Sequence, residues 1–107
     1  MTELDQLAVQ IVRFVDKAFP GWVECEFEDA VGRRHTLLDK VPGFTDMMLD
    51  ETSVYPQVGA VRCDILSHWK DSPGRELLRV STASPDAIAS TEDVTEFFVL
   101  SSQVSRA

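Results

Sequence analysis

The chain is short of the residue types that most often carry chemistry. Its 107 residues hold two cysteines, two histidines, one tyrosine and five glycines. Two cysteines cannot build the disulfide framework of a small secreted scaffold. Five glycines are largely claimed by turns, and neither a glycine-rich phosphate loop nor a G-x-S-x-G nucleophile elbow occurs. No stretch approaches the roughly 18 apolar residues of a membrane-spanning helix. No basic-then-apolar leader opens the sequence, so the expectation is a cytoplasmic protein with Cys25 and Cys63 reduced.

Positive charge is also scarce. Ten basic residues face 18 acidic ones, a net charge of −8. The excess is concentrated early: residues 1–53 carry net −6 and residues 54–107 net −2. Nucleic-acid binders neutralise phosphates with clustered Lys and Arg, so a nucleic-acid partner is disfavoured, as is an anionic membrane. A basic protein partner is electrostatically allowed. Solubility alone is the other account of such acidity.

What is present reads as one soluble globular domain, with 44% apolar and 26% charged residues. Residues 3–18 fit a helical stripe: Leu4, Leu7, Ala8, Ile11, Val15 and Ala18 recur at helical spacing. Thr2 is the expected cap, Glu3 and Asp5 sit near the start, and Pro20-Gly21 stops the element. From residue 22 the period changes to two. Val23, Cys25 and Phe27 alternate with Glu24, Glu26 and Glu28, which predicts a half-buried strand. A turn at Asp29–Gly32 and a returning strand near residues 34–41 complete a hairpin.

Residues 42–57 form a long apolar connection expected to pack over one end of the fold, with a helical turn near residues 45–50. Residues 58–69 and 75–82 read as a second hairpin around Asp71-Ser72-Pro73-Gly74, and residues 97–104 as a last strand. Residues 105–107 are expected as a tail. The two hairpins echo each other in V-x-C strands and in D-x-x-G-R turns; a duplicated hairpin is one reading, and common turn chemistry the favoured one. The expected fold is therefore α+β: an N-terminal helix packed on a strongly bent antiparallel sheet or small barrel of about five strands.

Four chemistries are weighed on the residues. Cys25, His35, Cys63 and His68 are a legitimate zinc set by type, but the spacing lacks a tight C-x-x-C pair, and five positions separate Cys63 from His68 on a strand. No metal and no cofactor is expected. A thiol nucleophile needs an accessible cysteine, and both cysteines fall within apolar strands. Glu24, Glu26 and Glu28 could serve as acids only if covered; a solvated face, or one paired with arginines, is the alternative. Trp22 stands in register with the glutamates, either as an interface anchor or as packing at the junction before the strand.

The sequence thus points to a non-catalytic binding domain for a protein partner, of the adaptor or small acidic inhibitor kind. The candidate surface is Trp22, Glu24, Glu26 and Glu28, joined by Asp46, Asp50 and Glu51 of the long connection. The alternative is a small-molecule-binding or enzymatic barrel with a pocket beneath residues 42–57, lined by Phe44, Met47, Met48 and Tyr55. A homodimer through an unpaired strand edge is a further reading.

Overall fold

The segment expected as the N-terminal helix is a central strand. In a computed structural model that describes residues 4–107, Asp5–Asp16 forms β1. Leu7, Val9 and Ile11 point into the core at period two, while Gln6, Ala8 and Gln10 face out. Leu7 and Ile11 satisfy both periods, so the helical stripe was an ambiguous signal. Val9, Ile11, Val12 and Val15 tip the balance, because β-branched side chains lose freedom in a helix and pack well on a pleated sheet. The α+β expectation is corrected accordingly: the fold is nearly all β. Helical structure among the described residues amounts to two single 3₁₀ turns, at Val41–Gly43 and Ser101–Gln103. The turn expected near residues 45–50 does not form. The cap residues Thr2 and Glu3 lie outside the described residues.

The remaining strands are Trp22–Glu28 (β2), Arg34–Lys40 (β3), Gln57–Lys70 (β4), Glu76–Ser81 (β5), Glu96–Leu100 (β6) and Val104–Ser105 (β7). They lie in the order β3-β2-β1-β4-β5-β6, all antiparallel, and curl into a half-barrel. Strand β4 is the spine. It pairs with β1 up to Cys63 and with β5 from Asp64 onward, and its register shifts between Ile65 and Ser67. Such a bulge bends a strand and strengthens its twist. Register shifts in β1 after Ile11 and after Phe14 do the same on the other side.

Strand β7 pairs with β1 through Leu7 and Val104. The residues expected as a tail therefore start inside a strand, and the Ala107 N–H donates to Asp5 Oδ1 at 2.9 Å. The two outer strands are also covered. The Ala30 N–H donates to the Phe98 carbonyl at 2.8 Å on β6, and the Thr91 N–H to the Thr36 carbonyl at 2.9 Å on β3. The Leu100 N–H is taken by Gln103 Oε1 at 2.8 Å. These bonds use up edge groups that a second copy would otherwise pair with.

The two D-x-x-G-R turns are built alike. Asp29 Oδ1 accepts the Arg33 N–H at 3.0 Å, and Asp71 Oδ1 accepts the Arg75 N–H at 2.8 Å. Gly32 and Gly74 take positive φ, 81° and 90°.

The long connection crosses the start of β4 and sends Phe44 and Leu49 into the core. Gly59 permits the crossing. A Cβ there would stand 2.9 Å from the Ile11 side chain and 3.1 Å from the Phe44 carbonyl oxygen. That oxygen accepts the Ala60 N–H at 2.9 Å, which fixes the crossing in place.

Candidate functional site

The acidic strand face is largely compensated. Arg13, the cross-strand neighbour of Glu24, pairs with it at 3.0 Å. Arg34 reaches both Glu26 and Glu28 at 3.4 Å. Lys40 Nζ lies 5.7 Å from the Trp22 ring centre, a cation–π contact between direct cross-strand neighbours. Three carboxylates therefore share this face with three cations. Each exposed pair contributes little stability, but together they leave the face with little net field. Trp22 is half-buried beneath Lys40.

The other acidic residues, Asp46, Asp50 and Glu51, lie elsewhere, at the barrel end where the long connection meets the β1–β2 turn. That turn carries Phe19 at its tip. Asp16 Oδ1 caps it by accepting the Ala18 N–H at 2.8 Å, and the Gly21 N–H closes it onto the Ala18 carbonyl at 2.7 Å. Gly21 has φ +92°, and a Cβ on it would press 2.9 Å from the Phe14 ring. The turn is thus fixed against Phe14 and, through the Val41 N–H on the Gly21 carbonyl at 2.9 Å, against the long connection.

The connection itself is held by its own polar groups. Asp50 Oδ1 accepts the Thr52 N–H at 2.8 Å and the Thr52 hydroxyl at 2.7 Å. Tyr55 donates its hydroxyl to the Asp50 carbonyl at 2.8 Å. The hydrogen bonds from Thr52 hold the Asp50 carboxyl below the usual carboxylate range, so it is ionised at neutral pH.

Between turn and connection runs an apolar groove of about 480 Å³. Phe14, Pro20 and Phe19 form one side; Pro42, Met47 and Met48 form the other, with Leu49 beneath. Asp46, Asp50 and Glu51 rim it, against one cation, Lys17, for a local balance of −2. Phe19 is 96% exposed and Met48 97%. The four residues expected to line a pocket are split. Phe44 goes into the core and Tyr55 packs against it, while Met47 and Met48 face the groove.

Sequence reasoning missed the Phe14–Phe19–Pro20 side. A hairpin tip was the available signal: Asp16 and Pro20-Gly21 are turn residues that bracket a short segment, and a helical reading of residues 3–18 hid it.

The four candidate zinc ligands do not converge, and no cluster of three or more His, Cys, Asp or Glu suited to a metal ion occurs among the described residues. Cys25 and Cys63 are buried, free thiols. Burial, with Glu24 adding repulsion, pushes the Cys25 thiol up to about 12. Burial, with Asp5 and Asp64, pushes Cys63 up to about 11. Neither is a nucleophile at neutral pH. His35 is buried against Asp29, with Nε2 2.8 Å from Oδ2, and its ring forms a three-way cluster with those of Phe27 and Phe97.

Comparison with protein-family models, with curated proteins and with solved structures found no match.

Proposed function

We propose that this chain is a non-catalytic protein-interaction domain. It takes a basic, apolar-anchored segment of a partner protein in the groove between the β1–β2 turn and the long connection. One observation carries the reading: Phe19 and Met48, both almost wholly exposed, stand on opposite sides of an apolar groove rimmed by three carboxylates. A soluble domain gains nothing in its own stability from two large apolar side chains held in water. Contiguous exposed apolar surface with a polar rim is the composition of a docking site. Methionines suit such a surface because the unbranched thioether adapts to different shapes. The acidic rim, in a chain of net −8, selects for Lys or Arg on the incoming segment.

A small-molecule pocket is the weaker use of the same groove. Its volume is large enough for a ligand, but ligand sites enclose most of what they bind. Side chains left 96% and 97% in water enclose nothing on their own. They suit a partner broad enough to cover them.

Selection of random peptides displayed on phage tests the reading. The expected consensus has Lys or Arg flanking a large apolar residue, and its binding is lost in Phe19→Ala/Met48→Ala and weakened in Asp46→Lys/Glu51→Lys. Binders that ignore Phe19 and Met48, or an acidic consensus, would sink it. The Glu24→Lys/Glu26→Lys/Glu28→Lys variant separates the groove from the strand face.

A further inference from the structure

A second cavity lies at the far end of β4. It measures about 580 Å³ and is bounded by His68, Trp69 and Lys70, by Glu76–Leu78, and by Ser101 and Arg106. Its character is opposite to the groove's. Strands β4 and β5 pair His68 with Leu78 and Lys70 with Glu76. Leu78 is a core residue, so alternation puts His68, Lys70 and Glu76 on the concave side with it, at the open end of the half-barrel.

Cations are few in this chain, and most are spent on carboxylates. Six of the ten Lys and Arg side chains form ion pairs. Lys70 and Arg106 form none among the described residues, yet both line this one cavity. Arg106 is held there from both sides. Ser105 before it pairs with Gln6 of β1, and the Ala107 N–H after it is bonded to Asp5. Trp69, paired with Leu77, lies on the outer face of the same strand, edge-on to exposed Phe98 at 5.6 Å and 82°, where it can report on its neighbours His68 and Lys70.

We infer that this cavity is a binding site for a phosphate group, free or carried on a small monoester. A guanidinium fork and an ammonium are the donor pair that suits a phosphate oxyanion, and the Ser101 hydroxyl and the His68 ring add hydrogen-bonding capacity. Glu76 opposes the anion, so the site holds a local balance of one positive charge from Lys70, Arg106 and Glu76. The net charge of −8 also works against any anion at long range. Binding therefore depends on these few contacts and responds sharply to each. The site stands apart from the groove, at the other end of a molecule whose long dimension is 45 Å.

The test uses the full chain carrying Trp22→Phe, so that Trp69 is the one tryptophan reporting. Inorganic phosphate, then phenyl phosphate, is titrated at constant ionic strength against a chloride control, with Trp69 emission and amide NMR shifts as readouts. The expected result is a saturable change at residues 68–70, 76–78, 101 and 106. Arg106→Ala and Lys70→Ala each weaken it about tenfold, and Glu76→Gln tightens it. The opposite signs distinguish a site from a nonspecific salt effect. Both cations are on the surface, and a thermal melt shows that the variants remain folded. No saturable change beyond chloride, or equal affinity in the Arg106→Ala and Glu76→Gln variants, overturns the proposal.

Discussion

His35 Nε2 and Asp29 Oδ2 stand 2.8 Å apart, with the His35 ring packed against those of Phe27 and Phe97. The other carboxylate oxygen of Asp29 accepts the N–H groups of Val31 and Arg33, each at 3.0 Å. One side chain therefore satisfies a buried histidine and shapes the turn that delivers Ala30 to β6. The Ala30 N–H on the Phe98 carbonyl is one of the bonds that draw the two ends of the curled sheet together, with the Thr91 N–H on the Thr36 carbonyl.

Asp29→Ala should cost roughly 2–4 kcal/mol, since it strands a buried polar ring and unmakes a turn. Burial works to raise the Asp29 carboxyl, but the hydrogen bonds from His35 and from the Arg33 and Val31 N–H groups outweigh it and hold the group below its ordinary value. A depressed carboxyl contributes stability that is complete above its unfolded value and is lost as pH falls through the folded value. Urea melts from neutral pH down to pH 2 should thus fall on the acid side less steeply in the Asp29→Ala variant than in the wild type. Parallel curves would show that Asp29 contributes nothing specific.

The two thiols give a prediction of the opposite sign. Cys25 is pushed up to about 12 and Cys63 to about 11, from an ordinary thiol value of 9.0. A raised group contributes stability below its unfolded value that is lost as pH rises toward the folded one. Native stability should decline from pH 9 upward on this account. At pH 8 the folded chain should react with iodoacetamide far more slowly than the chain in urea, where two thiols per molecule become available. Fast labelling of the folded chain would contradict the burial of both.

Gly59 is where the site depends on the fold. A methyl group there meets the Ile11 side chain at 2.9 Å and a backbone oxygen of the crossing segment at 3.1 Å. The side chain can adjust, but the carbonyl of Phe44 cannot move without losing its bond to Ala60. Gly59→Ala should cost about 1–3 kcal/mol as an overpacked site, read as a lowered melting temperature. It should also shift NMR resonances of the groove residues Met47 and Met48, which follow Phe44 in the chain. A silent substitution would mean that the crossing is looser than the geometry shows.

Much of the sheet was legible because strand patterning is local. The V-E-C-E-F alternation places β2, and the two D-x-x-G-R turns set the hairpin ends where Gly32 and Gly74 take positive φ. β1 was misread because Leu7 and Ile11 fit both periods; the decision lay with β-branched Val9 and Val12, and then with pairing to β2, β4 and β7. The candidate site was legible in part. Asp46, Asp50, Glu51, Met47 and Met48 do share a surface, but Phe44 and Tyr55 pack toward the core and Glu24, Glu26 and Glu28 face their own arginines. Which of several apolar residues in a connection points inward is decided by the surface it crosses, and no local pattern carries that.

Met48 and Leu49 are the sharpest case, two neighbours of similar size and opposite fate. Met48 is 97% exposed and Leu49 8%. Leu49→Ala should cost about 2–5 kcal/mol, the range for truncating a core leucine. Met48→Ala, and Phe19→Ala across the groove, should leave stability within about 0.5 kcal/mol, as surface substitutions away from caps and networks do. Denaturant melts of the three variants decide this. If Met48 and Phe19 prove neutral to the fold, their apolar side chains are available for a partner at no cost to the free domain, which is the condition the docking reading requires. If either truncation costs several kcal/mol, that side chain is part of the core in solution, and the groove loses the residue that defines that side.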